Sequence, residues 1–161
     1  MDKGYYKYAK DVLDGKIIAG KYIQLACERF FSLMEDDRYE FREDKADEVI
    51  AFFSYLRHYK GRHANQPFVL EPWQEWIIAN IYGLYVKEDN RRLIQTVYIE
   101  VARKNGKTAL AAAMGLNALI NDNEEGAEVY FAANSKEQVK ISAWPLCSNS
   151  VSYTHLTLPT S

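Results

Sequence analysis

The chain has 161 residues, 48% of them hydrophobic and 26% charged, which is typical of a soluble globular protein or of the front part of a larger one. Its net charge of −2 excludes an overall basic field that would attract nucleic acid, although a local patch could still do so. Cys27 and Cys147 lie far apart and belong to no metal-binding motif, so we expect neither a zinc site nor a disulfide framework. The amino-terminal segment is polar and long apolar runs are interrupted, so we also expect neither secretion nor a membrane span.

Two helices are predicted near the amino terminus. The first covers residues 5–16 and ends near Gly15, and the second lies within residues 20–37. Apolar side chains recur in the second at helical spacing and predict one buried face, made of Tyr22, Ile23, Ala26, Phe30 and Leu33. Residues 35–48 are highly charged, and we interpret them as a solvated linker or the start of the next helix.

A third helix is predicted over residues 46–61, with Val49, Phe53 and Leu56 on its apolar side and Gly61 as its stop. A basic cluster at its end can complement the negative end of the helix or contact phosphate, and it comprises Arg57, His58, Lys60, Arg62 and His63. A fourth helix is predicted to begin at Pro72. Its expected buried face consists of Trp73, Trp76, Ile77, Ile81 and Leu84.

Residues 93–133 have the pattern of one βαβ unit. A buried parallel strand is predicted in residues 91–102, where β-forming side chains recur at Ile94, Val97, Ile99 and Val101. Residues 107–120 are rich in alanine and leucine and predict a helix, and residues 127–133 predict a second buried strand. Strand, loop, helix and strand in this order indicate an α/β fold.

The loop of this unit contains the residue types that bind a nucleotide phosphate. Gly106 permits a tight turn, Lys107 can reach β and γ phosphates, and the Thr108 hydroxyl can ligate Mg²⁺. The usual first glycine of such a loop is replaced by Val101. The alternative without a function is an ordinary helix N-terminus that contains a lysine and a threonine by chance.

Several segments resemble the large terminase subunits of tailed bacteriophages, which are genome-packaging motors. The sequence ARKNGKT, residues 102–108, resembles their deviant Walker A loop, which carries basic residues and lacks the leading glycine. Residues 8–30, 67–77 and 126–138 are similar to further segments of that family in the same order, so the resemblance covers residues 5 to about 143. Asn134 departs from it, because threonine is more usual there.

The resemblance implies an α/β fold in which a helical amino-terminal region, residues 1–66, precedes the first βαβ unit of a RecA-like P-loop ATPase, residues 67–148. It implies ATP and Mg²⁺ as cofactors, a phosphate cradle formed by residues 103–108, including Lys104 and Asn105, and an adenine contact from Gln74. Arg103 would act as a cis arginine finger at the γ phosphate or as a plain phosphate-positioning base. Trp73 and Trp76 are expected in the core rather than as stacking platforms.

The same resemblance implies a motor that uses ATP hydrolysis to thread double-stranded viral DNA into procapsids in the cytoplasm of an infected bacterium. The expected partners are a portal protein, a small terminase subunit and further copies of the chain. A second acidic motif and the nuclease domain of the family are not found in the sequence, so we expect a truncated, inactive piece. Residues 149–161 shift abruptly in composition and are expected to be a non-native tail rather than a flexible terminus.

Two other classes of function fit parts of the sequence. A small-molecule or nucleotide kinase can use the same loop, although it usually carries that loop near its amino terminus. A non-catalytic helical interaction domain could contain the glycine, lysine and threonine by accident.

Overall fold

The computed structural model describes residues 3–57, 66–122 and 125–132. Its elements follow in the order α1 (Gly4–Leu13), α2 (Lys21–Glu35), β1 (Tyr39–Phe41), α3 (Glu43–Tyr55), α4 (Pro72–Gly83), β2 (Leu84–Val86), β3 (Arg91–Arg92) and α5 (Lys107–Asn121). The three strands form an antiparallel sheet in the order β1-β2-β3. The described chain is therefore mixed α/β. It divides into two compact units, one made of Met1–Ala51 and Leu70–Ile99, the other of Phe52–Val69 and the residues from Glu100 onward.

The core of the first unit is a cluster of aromatic rings around Phe30. The Phe30 side chain is fully buried, and its ring centroid lies 5.4 Å from that of Phe41, 6.1 Å from that of Tyr6 and 6.5 Å from that of Trp76. The Phe30 ring meets the Phe41 and Trp76 rings edge to face, a geometry that stabilises aromatic pairs beyond the burial of area. Since these residues come from α1, α2, β1 and α4, the cluster holds four elements together.

Helix α1 confirms the first predicted helix. Tyr5, Tyr6, Ala9 and Val12 are buried and recur at helical spacing, so they form the face that packs on the core. The helix is followed by Gly15, whose φ of +72° is a left-handed conformation that glycine adopts at little cost. The predicted end near Gly15 is therefore confirmed.

Helix α2 is also confirmed, but its predicted buried face is partly wrong. Tyr22 is 84% exposed and Ile23 is 39% exposed, whereas Cys27 and Phe30 are fully buried. Phe30 sets the rotation of the helix because its ring enters the aromatic cluster. One turn before Phe30 the buried position is Cys27, which packs as a small apolar side chain.

The charged segment 35–48 contains a strand as well as the start of a helix. Strand β1 pairs with β2 in the register Tyr39 with Val86 and Phe41 with Leu84. Phe41 faces the core, while α3 begins at Glu43. The interpretation as a plain solvated linker is therefore wrong for β1, because the apolar side chains among these charges supply a core-facing strand.

A partly exposed polar cluster joins the start of α1 to α3. Lys3 Nζ donates to Glu43 Oε2 at 2.7 Å and also to Asp47, and the Tyr6 hydroxyl donates to Glu43 Oε1 at 2.8 Å. The hydrogen bond from Lys3, followed by that from Tyr6, lowers the pKa of Glu43. Solvent screens such exposed ion pairs, so they orient α1 more than they stabilise it.

Helix α3 confirms the third prediction. Val49, Phe53 and Leu56 are buried as expected, and the helix ends at Tyr55. Arg57 is exposed in an isolated bridge with Pro67. The rest of the predicted basic cluster and the predicted stop lie outside the described residues: His58, Lys60, Gly61, Arg62 and His63.

Helix α4 confirms the fourth prediction, and Pro72 occupies its first turn. Trp76 and Ile81 are buried, and Trp73 and Ile77 are half-buried. Leu84 is also buried, but it is the first residue of β2 rather than part of the helix. The expectation that Trp76 is a core residue is confirmed, since its ring packs against Phe30.

The two predicted parallel strands are absent from the described residues. Only Arg91 and Arg92 of the first segment form a strand, and they pair antiparallel with β2. Val97 is 42% exposed, while Ile94, Ile99 and Val101 are half-buried. A buried parallel strand needs a hydrogen-bonded neighbour, and no described residue supplies one to segment 94–102. The apolar run therefore has no regular secondary structure.

In the second unit, α5 confirms the fifth predicted helix, and residues 127–132 return along it. A Cβ added to Gly115 would lie 2.8 Å from Phe131 Cζ and 3.1 Å from Val129 Cγ1, so this segment packs closely on the middle of the helix. Ala127 and Val129 are half-buried while Glu128 and Tyr130 are exposed. This alternation is that of a strand, although the described part of the segment has no ladder partner.

Replacement of Gly83 by alanine is expected to destabilise the protein by about 1–3 kcal/mol through overpacking. The added Cβ would lie 2.4 Å from Phe41 Cε2, in a ring held by the aromatic cluster. Gly20→Ala is the control, because no atom lies within 4 Å of its added Cβ and the φ of −68° suits alanine. Urea unfolding measures both variants, and equal costs would show that the Phe41 contact does not constrain the fold.

Candidate phosphate-binding loop

Residues 103–106 form the turn that joins segment 94–102 to α5. Gly106 is the N-cap of the helix with φ +69° and ψ 10°, and the Leu110 N–H donates to the Gly106 carbonyl at 2.9 Å. Lys104 is also left-handed, with φ +70°. Glycine accepts this conformation at almost no cost, whereas a residue with a Cβ loses on the order of 1–3 kcal/mol. The loop thus contains two left-handed residues separated by Asn105.

The first turn of α5 leaves its backbone donors open to a ligand. Gly106 has no side chain that could cap the helix, so the first N–H groups of α5 have no capping acceptor within the part of the chain that the structure describes. Left-handed residues in a tight turn can direct backbone N–H groups toward one concave side, an arrangement that binds anions. The 15-residue helix adds its positive end to the same place.

Three cations accompany these donors. Arg103, Lys104 and Lys107 are exposed, and none of them has a carboxylate within ion-pair distance in the described chain. Lys107 Nζ folds back over the loop and donates to the Val101 carbonyl at 3.4 Å. Asn105 Nδ2 donates to the Ala102 carbonyl at 3.3 Å and closes the turn. The loop therefore presents positive charge that no acidic side chain among residues 3–57, 66–122 and 125–132 neutralises.

Thr108 lies next to Lys107 in the first turn of α5 and is exposed. Its hydroxyl is a hard oxygen ligand of the kind that Mg²⁺ prefers, and Mg²⁺ usually takes its other ligands from phosphates and water. No group of three or more acidic, histidine or cysteine side chains in the described chain could hold a metal by itself. The residues present thus fit a magnesium ion that arrives with a polyphosphate.

Gln74 lies in α4, in the first unit, and is only 5% exposed. Its Oε1 accepts from the Glu71 N–H at 2.9 Å, while the Glu71 side chain accepts from the Gln74 N–H, so the two residues form a capping box. The structure thus gives Gln74 a definite local role at the start of α4. The hydrogen bond from the Glu71 N–H to Gln74 Oε1 holds the carboxamide in one orientation.

Two features of the candidate site were not foreseen from the sequence. The capping box had a signal, since Glu71 and Gln74 have the spacing of an N-cap and N3 pair. The left-handed conformation of Lys104 had none, because lysine shows no preference for it. In α4, the helix that the capping box begins, Trp76 Nε1 is buried and has no hydrogen-bond acceptor in the described residues.

These features define a mixed α/β protein whose fifth helix begins after an exposed, cationic turn. Residues 72–143 match the family model of the terminase large subunit, ATPase domain. The matched segment includes α4, the loop and α5, and it confirms the resemblance to large terminase subunits that the sequence motifs indicated. The searches of curated proteins and of solved structures returned no match. No helix in the described ranges is long and apolar enough to cross a membrane.

Proposed function

We propose that the chain supplies the nucleotide-binding part of a viral DNA-packaging motor, the large terminase subunit of a tailed bacteriophage. The observation that carries this proposal is the family match over residues 72–143, which includes the open loop at the start of α5. The match concerns an ATPase domain and so favours the motor over a kinase or a non-catalytic helical domain. In the motor, ATP hydrolysis would drive double-stranded DNA into a procapsid in the host cytoplasm.

The proposed domain organisation and partners follow from the resemblance to the same family. In this proposal, residues 1–66 are a helical amino-terminal region and residues 67–148 are the start of a RecA-like P-loop ATPase domain. The full-length protein would also carry a separate nuclease domain. A portal protein, a small terminase subunit and other copies of the chain are the proposed partners. Two findings support the ATPase assignment: α5 follows the loop directly, and Val129 and Phe131 pack on α5 at Gly115, with strand-like alternation over residues 127–130.

The loop residues have distinct proposed roles toward ATP and Mg²⁺. The N–H groups of residues 103–108 cradle phosphate oxygens, since the first turn of α5 has no other cap. Lys107 places its ammonium on the β and γ phosphates after it leaves the weak 3.4 Å contact with Val101. Thr108 contributes a hydroxyl ligand to Mg²⁺. When bound, the metal neutralises charge that develops on the phosphates.

Arg103 is the residue best suited to charge stabilisation at the γ phosphate. It lies in the loop, is exposed and has no carboxylate within ion-pair distance in the described chain, so its guanidinium is available. A guanidinium can grip phosphate oxygens in a bidentate manner. As a cis arginine finger it would act on the transition state, and as a positioning base it would act equally on bound ATP.

Gln74 has two roles that a single substitution can separate. In the proposed ATPase, its carboxamide contacts the adenine base, and in the structure its Oε1 caps the Glu71 N–H. A glutamate at the same position keeps the oxygen that caps the helix but loses the amide donor. Gln74→Glu therefore tests base recognition without removing the capping box.

Lys107→Ala is expected to weaken binding of MgATP at least tenfold while leaving the fold intact. Lys107 is exposed and its only hydrogen bond in the described chain is the one to Val101, so its loss removes charge rather than packing. Shifts of the amide resonances of residues 103–108 during a nucleotide titration give the dissociation constant. Lys87→Ala, which removes an exposed lysine from the β2–β3 turn, is the matched control and should leave the constant unchanged. An unaltered constant in folded Lys107→Ala would refute the assignment.

Gln74→Glu is expected to narrow the preference for ATP over GTP while unfolding at about the same denaturant concentration as the parent protein. The physical reason is that a site built to pair with one base rejects the other by leaving polar groups unpaired. Gln74→Ala should lose both the preference for ATP and the hydrogen bond that caps α4, and the lost cap should lower the free energy of unfolding by about 1 kcal/mol. An unchanged ATP to GTP ratio of affinities in Gln74→Glu would leave Gln74 with the capping role alone.

A further inference from the structure

Lys104 occupies a backbone conformation that its own residue type disfavours. The described chain has five residues with positive φ, and three of them are glycines at 15, 106 and 126. The fourth, Asn90, is of a type that tolerates the left-handed region because its short polar side chain bonds locally. Lys104, at φ +70°, has neither advantage. Glycine or asparagine would satisfy this backbone better, so the turn itself gives no reason for a lysine.

The side chain of Lys104 also gives no structural reason for its presence. It is exposed and makes no ion pair with any described carboxylate. What it does supply is a third positive charge within five residues, beside Arg103 and Lys107. An outlier of this kind points toward function rather than stability.

We propose that Lys104 is a specificity-determining residue whose ammonium favours a nucleoside triphosphate over the corresponding diphosphate. This inference rests on the proposed function, because it takes the loop as the place where the phosphates bind. The two nucleotides differ by one phosphate and so by about one negative charge at neutral pH. A cation beside the phosphate chain therefore attracts the triphosphate more, and a motor that must release the diphosphate after each turnover benefits from that difference.

The test compares the affinities of this chain for ATP and ADP, each with Mg²⁺, in the parent protein and in three variants. Lys104→Gly and Lys104→Asn remove the charge and fit the left-handed turn, so both should be as stable as the parent or more stable. In both, we expect the ratio of ATP to ADP affinity to fall roughly three- to tenfold, the effect of one nearby exposed charge. Lys104→Arg keeps the charge and should keep the ratio.

Asn90→Gly is the control for relief of backbone strain, because it changes a left-handed residue in the β2–β3 turn without altering the cations of the loop. It should leave both affinities unchanged. Added salt should lower the ratio more in the parent protein than in Lys104→Gly, since the variant keeps Arg103 and Lys107 but lacks one of the three charges that salt screens. Titrations followed by the amide resonances of residues 103–108 give all the constants.

The outcomes separate this inference from the function on which it rests. If the parent protein binds neither nucleotide at residues 103–108, the proposed function fails and this inference fails with it. Suppose that the parent protein binds both nucleotides and that Lys104→Gly weakens the affinities for ATP and ADP equally or not at all. The proposed function then stands, and the role of Lys104 in discriminating the two nucleotides is overturned. A lower ratio in Lys104→Gly and Lys104→Asn, with Lys104→Arg unchanged, supports it.

Discussion

The candidate site depends on the left-handed conformation of Gly106. At φ +69° this residue ends the turn of residues 103–106 and begins α5, without a side chain that would cap the helix. The first N–H groups of α5 are consequently free for an anion, and the positive end of the helix points at the same place. A residue with a Cβ at this position would be strained, and a capping side chain would fill the place of the ligand. The glycine thus sets the chain direction at the start of α5 and leaves the place where the proposed anion would bind uncapped.

The first unit is organised by a different interaction, the burial of the Phe30 ring among aromatic side chains. This cluster fixes the rotation of α2 and brings α1 and α4 against a common core. Helix α4 is further fixed at its start by the capping box of Glu71 and Gln74. A residue held in this way can recognise a ligand only in the orientation that the cap imposes. The proposed adenine contact must therefore use the Gln74 carboxamide in the orientation that the observed cap gives it.

The sequence predicted the five helices because each carries an apolar stripe or strong helix formers together with a stop or start signal. Pro72 and Gly15 are examples in which the residue type itself requires the boundary. The face of α2 was predicted wrongly because two neighbouring stripes are apolar, and only the aromatic cluster selects the one through Cys27. The two parallel strands were predicted from apolar runs, but a strand also needs a paired neighbour, which is a property of the whole sheet and not of the segment.

For the candidate site, the sequence predicts the loop and the roles of Gly106, Lys107 and Thr108, because the chemistry of phosphate binding uses those types at that spacing. It could not reveal that Lys104 is left-handed or that Lys107 folds back onto Val101. These features arise from the conformation of the whole turn. The family match to residues 72–143 agrees with the motif, and it makes the loop the part of the molecule on which the functional account depends.

Amide hydrogen exchange with and without MgATP tests that account most directly. If the loop binds the phosphates, exchange should slow at the backbone N–H groups of residues 103–108, which otherwise have no helical or side-chain cap, while α1 and α2 exchange as before. Adenosine, which lacks phosphates, should give no such protection. Unchanged exchange at residues 103–108 under saturating MgATP, in protein whose helices retain their protection, would contradict the central claim that this loop is a nucleotide phosphate site.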